Sequence, residues 1–505
     1  MTAPASVLAE PWMRGVAANP AAPSEVLLRL LAPPARTAWK IVCEDRALPT
    51  DVIDAVVAHP ERTVRRGLAR NWHVTAEQRG RLVSDPNAIV RAGLAGGPAW
   101  HRYPGTREAL PDQVLEILLT AQDDSSRDEL VTADEIRQEL VGSGQISQAF
   151  RHRMPGHPNP ALRVRAADLW LWLTPGQRDA LLADADPEVR EAARVADRIL
   201  DPAAMEADLP EPDCHRRSLL LMHYAVSRTV VERCLAEGRD LWALANNPHT
   251  PADVVARLAH DTDPRVRERV ASRADLEPEQ LSELSRDPDP VVRTRALLLP
   301  LPRTWPQGVA IDRVVGHPAE SIGPLHEMLT EPQTPWYEQC AVSEHPLLRR
   351  VAATCPHLPE ELVLRLAGDP DADVRHLLAY HHPLAPPALL LDTFIATPRQ
   401  RTHLLTLSQM PRTGLQHLLG HHDPDVRALA AADATLPQPP LQLLADPDAH
   451  VRYAAAANPL LPIDLITALL QDPETAEAAA SNPRLSVERL HELLDAAGLA
   501  RMGGN

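Results

Sequence analysis

The clearest chemical pattern in the chain is an arginine that follows an apolar residue shortly after an aspartate. The pair recurs at Val64-Arg65, Val90-Arg91, Val164-Arg165, Val189-Arg190, Val266-Arg267, Val292-Arg293, Leu348-Arg349, Val374-Arg375, Val426-Arg427 and Val451-Arg452. Because a guanidinium is planar and always charged, it can bind two oxygens of one carboxylate or phosphate. The arginines therefore predict either an internal ladder of ion pairs or a surface that contacts nucleic-acid phosphates.

Aspartates four or six residues before these arginines favour the ladder. An Asp and an Arg at this spacing can pair within one repeat unit or with the adjacent unit. The net charge of −17 also disfavours a sequence-independent grip on phosphates. The predicted ladder comprises Asp263, Arg267, Asp287, Arg293, Asp369, Arg375, Asp423, Arg427, Asp446 and Arg452.

Histidines near residue 420 are the candidates for a metal site. His417 and His421 would share one face if a helix joined them, and His422 and Asp423 follow directly. Two imidazoles and a carboxylate can bind zinc. However, His421 and His422 lie where a linker is expected, and no H-E-x-x-H is present. We therefore expect solvated turn histidines, no bound metal and no cofactor.

Four tryptophans are candidates for partner contacts, because exposed Trp residues often anchor interfaces. Trp72 and Trp172 occupy the same slot of their units, whereas Trp305 and Trp336 lie in an irregular stretch. The alternative is packing between repeats. The motifs G-x-G-x-x-G, G-x-x-x-x-G-K-[ST] and G-x-S-x-G are all absent. We predict no catalytic residues and no enzymatic activity.

The elements that position these residues are short helices with a period of 25 or 26 residues. In one unit, Asp446-Pro447 starts an alanine-rich helix, Asn458 permits a left-handed end, and Ile463 opens a leucine-rich helix. Weaker matches at Arg14, Lys40, Arg216, Trp242, Arg401 and Glu477 extend the register to about 19 units. Helices of this length are marginal alone, so units must stack. The sequence predicts an all-α solenoid.

Composition agrees with that fold class and indicates the cellular compartment and the source that we expect for the protein. Aromatic residues make up only 3% of the chain, as expected for close-packed Ala/Leu helices. The five cysteines form no C-x-x-C pair, and no apolar run approaches 18 residues. We expect a soluble, cytoplasmic protein. Lys40 is the one lysine beside many arginines, which is typical of a GC-rich genome and indicates a bacterial source.

The unit resembles the leucine-rich repeat variant family, with HEAT-like repeats as broader relatives. The residues that carry this resemblance are the Asp-Pro, Val-Arg and Ala-Asn-Pro motifs and the Leu-rich second helix, strongest in 245–300, 345–380 and 420–485. The resemblance implies alternating α- and 3₁₀-helices in a right-handed superhelix. Some members carry an N-terminal cysteine cluster for an iron–sulfur centre. Only Cys43 lies in the first 200 residues here, so that feature is not expected.

The predicted organisation is one continuous solenoid with two irregular segments. Regular repeats are expected in 1–95, 161–300 and 346–505, a degenerate repeat with an inserted loop in 96–160, and an irregular repeat in 301–345. Insertions in such arrays map to loops on one face, which is often the binding face. Each irregular segment is therefore either a degenerate repeat or a partner site.

Three functions are compatible with this architecture. The first is a monomeric scaffold that binds a protein or peptide in a preformed concave groove. The second is a nucleic-acid-binding solenoid, as the resemblance to HEAT-like DNA glycosylases implies. The third is a lyase or chaperone-like helper, as in HEAT-like phycobilisome lyases. We favour the scaffold, because the chain is acidic and lacks catalytic motifs.

Overall fold

The all-helical fold predicted from the repeat is confirmed. A computed structural model describes residues 5–98, 108–123, 131–210, 214–273, 275–298, 310–311, 314 and 334–501. These residues form 32 α-helices and no strand. Across the same ranges, no helix has the length and apolar character needed to cross a membrane.

The helices fall into two units, 1–147 with 383–505 (unit 1) and 148–382 (unit 2). Unit 1 begins with α1 (Ala5–Ala18), α2 (Ser24–Arg29), α3 (Trp39–Cys43), α4 (Thr50–Val57), α5 (Arg62–Ala69), α6 (Ala76–Gly80), α7 (Ala88–Gly96), α8 (Asp112–Thr120) and α9 (Ala133–Gly142). Unit 2 has α10 (Gln148–Arg153), α11 (Pro160–Ala166), α12 (Pro175–Leu182), α13 (Pro187–Asp197), α14 (Pro202–Asp208), α15 (His215–His223), α16 (Arg228–Glu237), α17 (Leu241–Asn246), α18 (Ala252–Leu258), α19 (Pro264–Ala271), α20 (Pro278–Leu284), α21 (Pro290–Leu298), α22 (Thr334–Ala341), α23 (Pro346–Ala353), α24 (Glu360–Ala367) and α25 (Ala372–His381). Unit 1 continues with α26 (Pro387–Ala396), α27 (Arg401–Leu404), α28 (Pro424–Ala431), α29 (Ala449–Ala456), α30 (Ile463–Leu469), α31 (Ala476–Ala480) and α32 (Val487–Ala496).

Two rows of helices alternate along the chain. The helices that carry the apolar–Arg pair stack on one another and are called the Val-Arg row; α5 on α7 and α17 on α19 are examples. The helices between them form the Leu row. The valine before the arginine is buried between neighbours in most of these helices, as Val64, Val266 and Val451 show, whereas Val164 is only partly buried. Burial of this small apolar side chain explains why the motif repeats with the helix.

Most helices of the Leu row are α-helical rather than 3₁₀. The resemblance stated above implies strict alternation, but 3₁₀ geometry replaces the α-helix of this row at Gln416–Leu418 and Leu441–Ala445. Other 3₁₀ segments lie at Pro33–Ala38, Met154–Gly156, Ala167–Trp172, Arg198–Leu200 and Pro398–Gln400. Stacking of the Val-Arg helices therefore tolerates either helix type in the neighbouring row.

A polar cap followed by proline starts many Val-Arg helices. The Asp263 carboxylate accepts a hydrogen bond from the Arg265 amide at 2.9 Å, and Pro264 takes the first helical position. The predicted cap at Asp446 is displaced by two residues, because Asp448 caps α29 instead. In Asp-x-Asp motifs the second aspartate caps the helix and the first is left for another contact.

The irregular segment 96–160 contributes a repeat to the array. Helix α9 packs directly on α7, so it takes the next position in the Val-Arg row. Residues 99–107 and 124–130 lie outside the described part. Most of the second irregular segment, 301–345, also lies outside it, although α22 falls within that segment.

The first and last repeats of the chain pack against each other within unit 1. Helix α1 contacts α31 as one Val-Arg helix contacts the next, and α32 contacts both α1 and α2. The contact is close: a Cβ on Gly15 would overlap the Glu477 carbonyl oxygen and lie 2.5 Å from the Ala480 Cβ. The N-terminal repeat therefore occupies the position that follows the C-terminal repeat.

Buried polar contacts secure this terminal junction. The Trp12 indole donates to the Leu470 carbonyl at 2.9 Å. Arg29, 2% exposed, donates from Nη1 to His491 Nδ1 at 2.8 Å and pairs with Asp495. Its Nε also donates to the Ala500 carbonyl at 3.2 Å. An arginine so enclosed is satisfied only while the C-terminal segment stays in place.

Candidate functional site

The arginine ladder joins neighbouring repeats through bidentate pairs. Arg267 donates from Nε and Nη2 to the two oxygens of Asp287 in the next repeat, at 2.7 and 2.9 Å. Its Nη1 donates to the Asp261 carbonyl at 2.7 Å. The same arrangement joins Arg65 to Asp85, Arg163 to Asp184, Arg349 to Asp369 and Arg427 to Asp446. Each guanidinium thus joins the loop that precedes its own helix to an aspartate of the following repeat.

The predicted ladder residues divide into three roles. Asp287, Asp369, Asp423 and Asp446 receive an arginine from the preceding repeat, although the partner of Asp423 is Arg401. Asp263 caps α19 instead of binding Arg267. Arg293 and Arg375 donate to the carbonyls of Asp287 and Asp369 six residues earlier, and Arg452 pairs with Glu474 at 3.3 Å. Pairing within a unit therefore uses backbone oxygens, and carboxylate pairing runs between units.

Two positions of the predicted register are shifted. The ladder arginine near residue 165 is Arg163, which follows the buried Leu162. In the repeat near residue 216, Arg217 pairs with Asp240 at 2.8 Å. The Val-Arg pattern alone could not detect these shifts, because a second arginine lies beside each true partner.

The ladder arginines hold their aspartates in the charged form. The hydrogen bond from Arg267 lowers the pKa of Asp287 below its ordinary value. Hydrogen bonds from Arg163, Arg401 and Arg427 likewise lower the pKa of Asp184, Asp423 and Asp446. Both partners are charged at neutral pH, so these guanidinium groups are engaged inside the protein.

A second ladder, of asparagines, was not predicted from the sequence. Asn247 is fully buried, and its Nδ2 donates to the Leu221 and Tyr224 carbonyls of the preceding repeat at 2.9 and 2.7 Å. The same slot holds Asn71, Asn458, Asn482 and, across the terminal junction, Asn19. The left-handed conformation expected at Asn458 is wrong: Asp240 is the one non-glycine residue with positive φ in the described chain. The buried asparagine therefore joins neighbouring repeats through its side-chain hydrogen bonds.

The candidate metal histidines do not converge. A 3₁₀ turn at Gln416–Leu418 replaces the helix that would have aligned His417 with His421. His417 and His422 are exposed, while His421 Nδ1 accepts a hydrogen bond from the Asp423 amide at 3.1 Å. Among the described residues, no group of three or more His, Cys, Asp or Glu side chains is arranged to hold a metal ion.

The predicted tryptophan anchors are at least partly covered where they can be assessed. Trp336 is buried and packs edge-on against Tyr337, with ring centroids 4.9 Å apart. Trp72 is half-buried against His73. Trp305 and the side chain of Trp172 lie outside the described residues. Trp242 is instead 40% exposed, in a slot where neighbouring repeats place a ladder arginine.

A groove opens on the Val-Arg surface of unit 1. Its volume is about 740 Å³, and helices α5, α7 and α9 line it. Arg66 and Arg70 form one wall, and Glu135 and Glu139 form the opposite wall. Between them lies α7, which presents Gly93 and Gly96. The arrangement offers opposite charges on either side of a floor that exposes helix backbone at the two glycines, beside Ile89 and Ala92.

A charged side chain from each wall lies close to one of the two glycines of α7. The Arg66 Cγ lies 3.1 Å, and its Nε 3.8 Å, from the position a Cβ on Gly93 would take. The Glu139 Oε2 lies 3.2 Å from the corresponding position on Gly96. Within the described part of the chain, neither Arg66 nor Glu139 forms an ion pair. Both charges therefore face the groove.

A second groove lies on the Val-Arg surface of unit 2. It has a volume of about 800 Å³ and is lined by α11, α13 and the 3₁₀ segments beside them. Val195, 58% exposed, projects from α13 among Glu188 and Glu191. In both units, then, the Val-Arg row borders an open groove.

The groove residues were not identified from the sequence, but a signal was present. The ladder needs one arginine per repeat, whereas Arg65-Arg66 supplies two. The surplus arginine must point elsewhere, since Arg65 already satisfies the contact to Asp85. The extra charge at Arg66 therefore marks the groove surface in this repeat, whereas the extra arginine beside Arg349, Arg350, pairs with Asp371 and Asp373.

Comparison with known proteins adds no assignment to these features. The resemblance to leucine-rich repeat variant proteins rests on the repeat motif alone. No protein-family model and no curated protein sequence matches this chain.

Proposed function

We propose that this protein is a non-enzymatic scaffold that binds a peptide or protein segment on its Val-Arg surface. The observation that carries the proposal is the open groove between α5, α7 and α9, with arginines on one side and glutamates on the other. Grooves of this size with a few placed polar groups are typical ligand sites. The stacked helices preform the groove, so binding costs little ordering of the protein.

The state of the arginines supports this function over nucleic-acid binding. The ladder guanidinium groups are paired with aspartates, and glutamates line the groove beside Arg66 and Arg70. A phosphate backbone would meet carboxylates along the same surface, which is unfavourable. We propose that nucleic acid is not the partner.

The wider setting that we propose follows from the same features. Kinship with leucine-rich repeat variant and HEAT-like proteins would account for the 25- to 26-residue unit. A monomer is consistent with a first repeat that already covers the last. A reducing cytoplasm fits five free thiols, of which Cys43 and Cys340 have a pKa raised by burial to about 12.

Selection of peptides tests the proposal. The immobilised full-length chain is used to select from a display library of random 12-residue peptides, and hydrogen exchange locates the bound peptides. We expect enrichment of peptides that protect α5, α7 and α9 more than the Leu row. If no peptide is enriched, or if duplex DNA or RNA binds in a salt-sensitive manner instead, the proposal is wrong.

A further inference from the structure

We infer that the unit 1 groove binds an extended peptide segment that carries an acidic and a basic side chain two or four residues apart. The inference rests on the proposed function and specifies the ligand of the same surface. It starts from the two opposite charges that lean over α7. Arg66 comes from α5 on one side, and Glu139 comes from α9 on the other.

The separation of these charges limits the ligand. The Arg66 Nε and the Glu139 Oε2 lie 3.8 and 3.2 Å from the Cβ positions of Gly93 and Gly96. Those two positions are three residues apart on a helix, or about 5–6 Å, so the charges lie within roughly 13 Å of each other. An extended peptide advances about 3.3 Å per residue and presents alternate side chains on one face. Partners two or four residues apart therefore match both the distance and the face.

The floor of the groove determines how closely the peptide approaches. Gly93 and Gly96 expose the backbone of α7 between the two walls, beside the side chains of Ile89 and Ala92. A peptide backbone can then lie close to the helix while its charged side chains reach outward to the walls. Arg70 and Glu135 also line the walls, but Arg70 pairs with Glu44 at 3.9 Å and Glu135 accepts the Thr132 amide at 2.8 Å, so Arg66 and Glu139 supply the charges that meet the ligand. The acidic residue meets the α5 wall, and the basic residue meets the α9 wall.

Charge complementarity is the reason for choosing this ligand. A purely acidic peptide would gain from Arg66 but be repelled by Glu139, and a purely basic peptide would show the reverse. A segment with one charge of each sign satisfies both walls at once. Ion pairs at a half-enclosed surface contribute modestly to affinity but strongly to the choice of partner.

Charge reversal tests the inference. A peptide selected on the wild-type chain is labelled with fluorescein, and its Kd is measured for the wild type, Arg66→Glu and Glu139→Arg. We expect the selected peptide to carry the charge pair and either substitution to raise Kd about tenfold. The double variant R66E/E139R should instead prefer the same peptide with its acidic and basic residues exchanged.

A matched control variant and a substitution in the floor of the groove distinguish failure of this inference from failure of the proposed function. The exchange R489E/E492R swaps an exposed pair on α32 in the Leu row and should leave Kd unchanged. Gly96→Leu should weaken binding while the melting temperature confirms that the variant folds. If selected peptides bind but ignore both charge reversals, this inference fails and the proposed function stands. If no peptide binds the chain at all, both fail.

Discussion

At the scale of single residues, the Asp-x-Asp motif divides two tasks between its carboxylates. In 287–289, Asp287 receives Arg267 from the preceding repeat, and Asp289 accepts the Val291 amide at 2.8 Å as a helix cap. Both carboxylates also fix the loop between the two helix rows. Because the arginine pairs are nearly enclosed, removing one partner should cost far more than an exposed ion pair does.

The lowered pKa of the ladder aspartates predicts acid sensitivity. A carboxyl whose folded pKa lies below its unfolded value, about 4, stabilises the protein above that value and loses the effect as pH falls. The free energy of unfolding in urea should therefore decrease from pH 4 towards pH 2. Arg267→Ala should lower it by about 2 kcal/mol at pH 7, because Asp287 is left buried without its partner.

The same substitution should also reduce the acid dependence. Without the hydrogen bond from Arg267, the pKa of Asp287 lies closer to its unfolded value, so protonation costs less stability. Urea titrations at pH 7, 4 and 3 measure both effects. An Arg267→Ala chain with the same acid slope as the wild type would contradict the assignment of the pair.

At the scale of helices, the asparagine ladder connects a Val-Arg helix to the preceding one in the five repeats that carry the asparagine. Asn247 satisfies two carbonyls at the end of α15, which no helical amide can reach. Since the interactions of repeat proteins are mostly between neighbours, such a contact acts locally on one interface. The asparagine thus determines how the end of one helix meets the end of the next.

Asn247→Ala should destabilise this interface. The change leaves the Leu221 and Tyr224 carbonyls buried without a donor and should cost about 3 kcal/mol. Hydrogen exchange and urea unfolding measure the loss, which should centre on α15 and α17. Asn246→Ala, at a half-buried neighbour outside the ladder, is the control and should change stability by less than about 0.5 kcal/mol. Equal losses in the two variants would show that the ladder has no special role.

Much of this element-level organisation could be predicted from the sequence. Periodicity identified the helices, and Asp-Pro located the starts of α19 and α28, because caps and proline act on adjacent backbone, although it missed the start of α29 by two residues. The partner of each arginine and the role of each asparagine were harder to predict. Both contacts cross to a neighbouring repeat 19 or more residues away, and periodicity does not specify which of two equivalent neighbours is used. The groove was missed because it depends on the space left open at Gly93 and Gly96, and a sequence pattern of side chains does not record that space.

At the scale of the molecule, the terminal junction is the feature that the repeat period cannot reveal. Each interface between repeats rotates the next repeat by a small angle, and these angles add up along a stack of repeats to determine where its last repeat lies. In unit 1 the last repeat lies against the first, with Asn19 donating to Ala480 and Asn482 as in an interior interface. The buried Arg29 adds contacts specific to the junction.

Gly15→Ala should open this junction. The added methyl group would overlap the Glu477 carbonyl, so α1 must move away from α31, at a cost of about 3 kcal/mol. Hydrogen exchange in 5–31 and 476–501 should rise together, and the melting temperature should fall. Gly176→Ala is the control, because a Cβ at that position meets no atom within 4 Å. Unchanged protection at both ends would argue against the junction.

Because α1 packs on α31 as consecutive Val-Arg helices do, the point at which the backbone enters the stack of repeats has little structural meaning in unit 1. A circular permutant, with residues 5 and 501 joined by a linker and new ends placed in a surface turn, would retain every interface described for this unit. In such a chain, a continuous backbone would also span the junction that is held only by the non-covalent contact between α1 and α31. Segments attached before α1 or after α32 would, in contrast, emerge beside the contact between the first and last repeats.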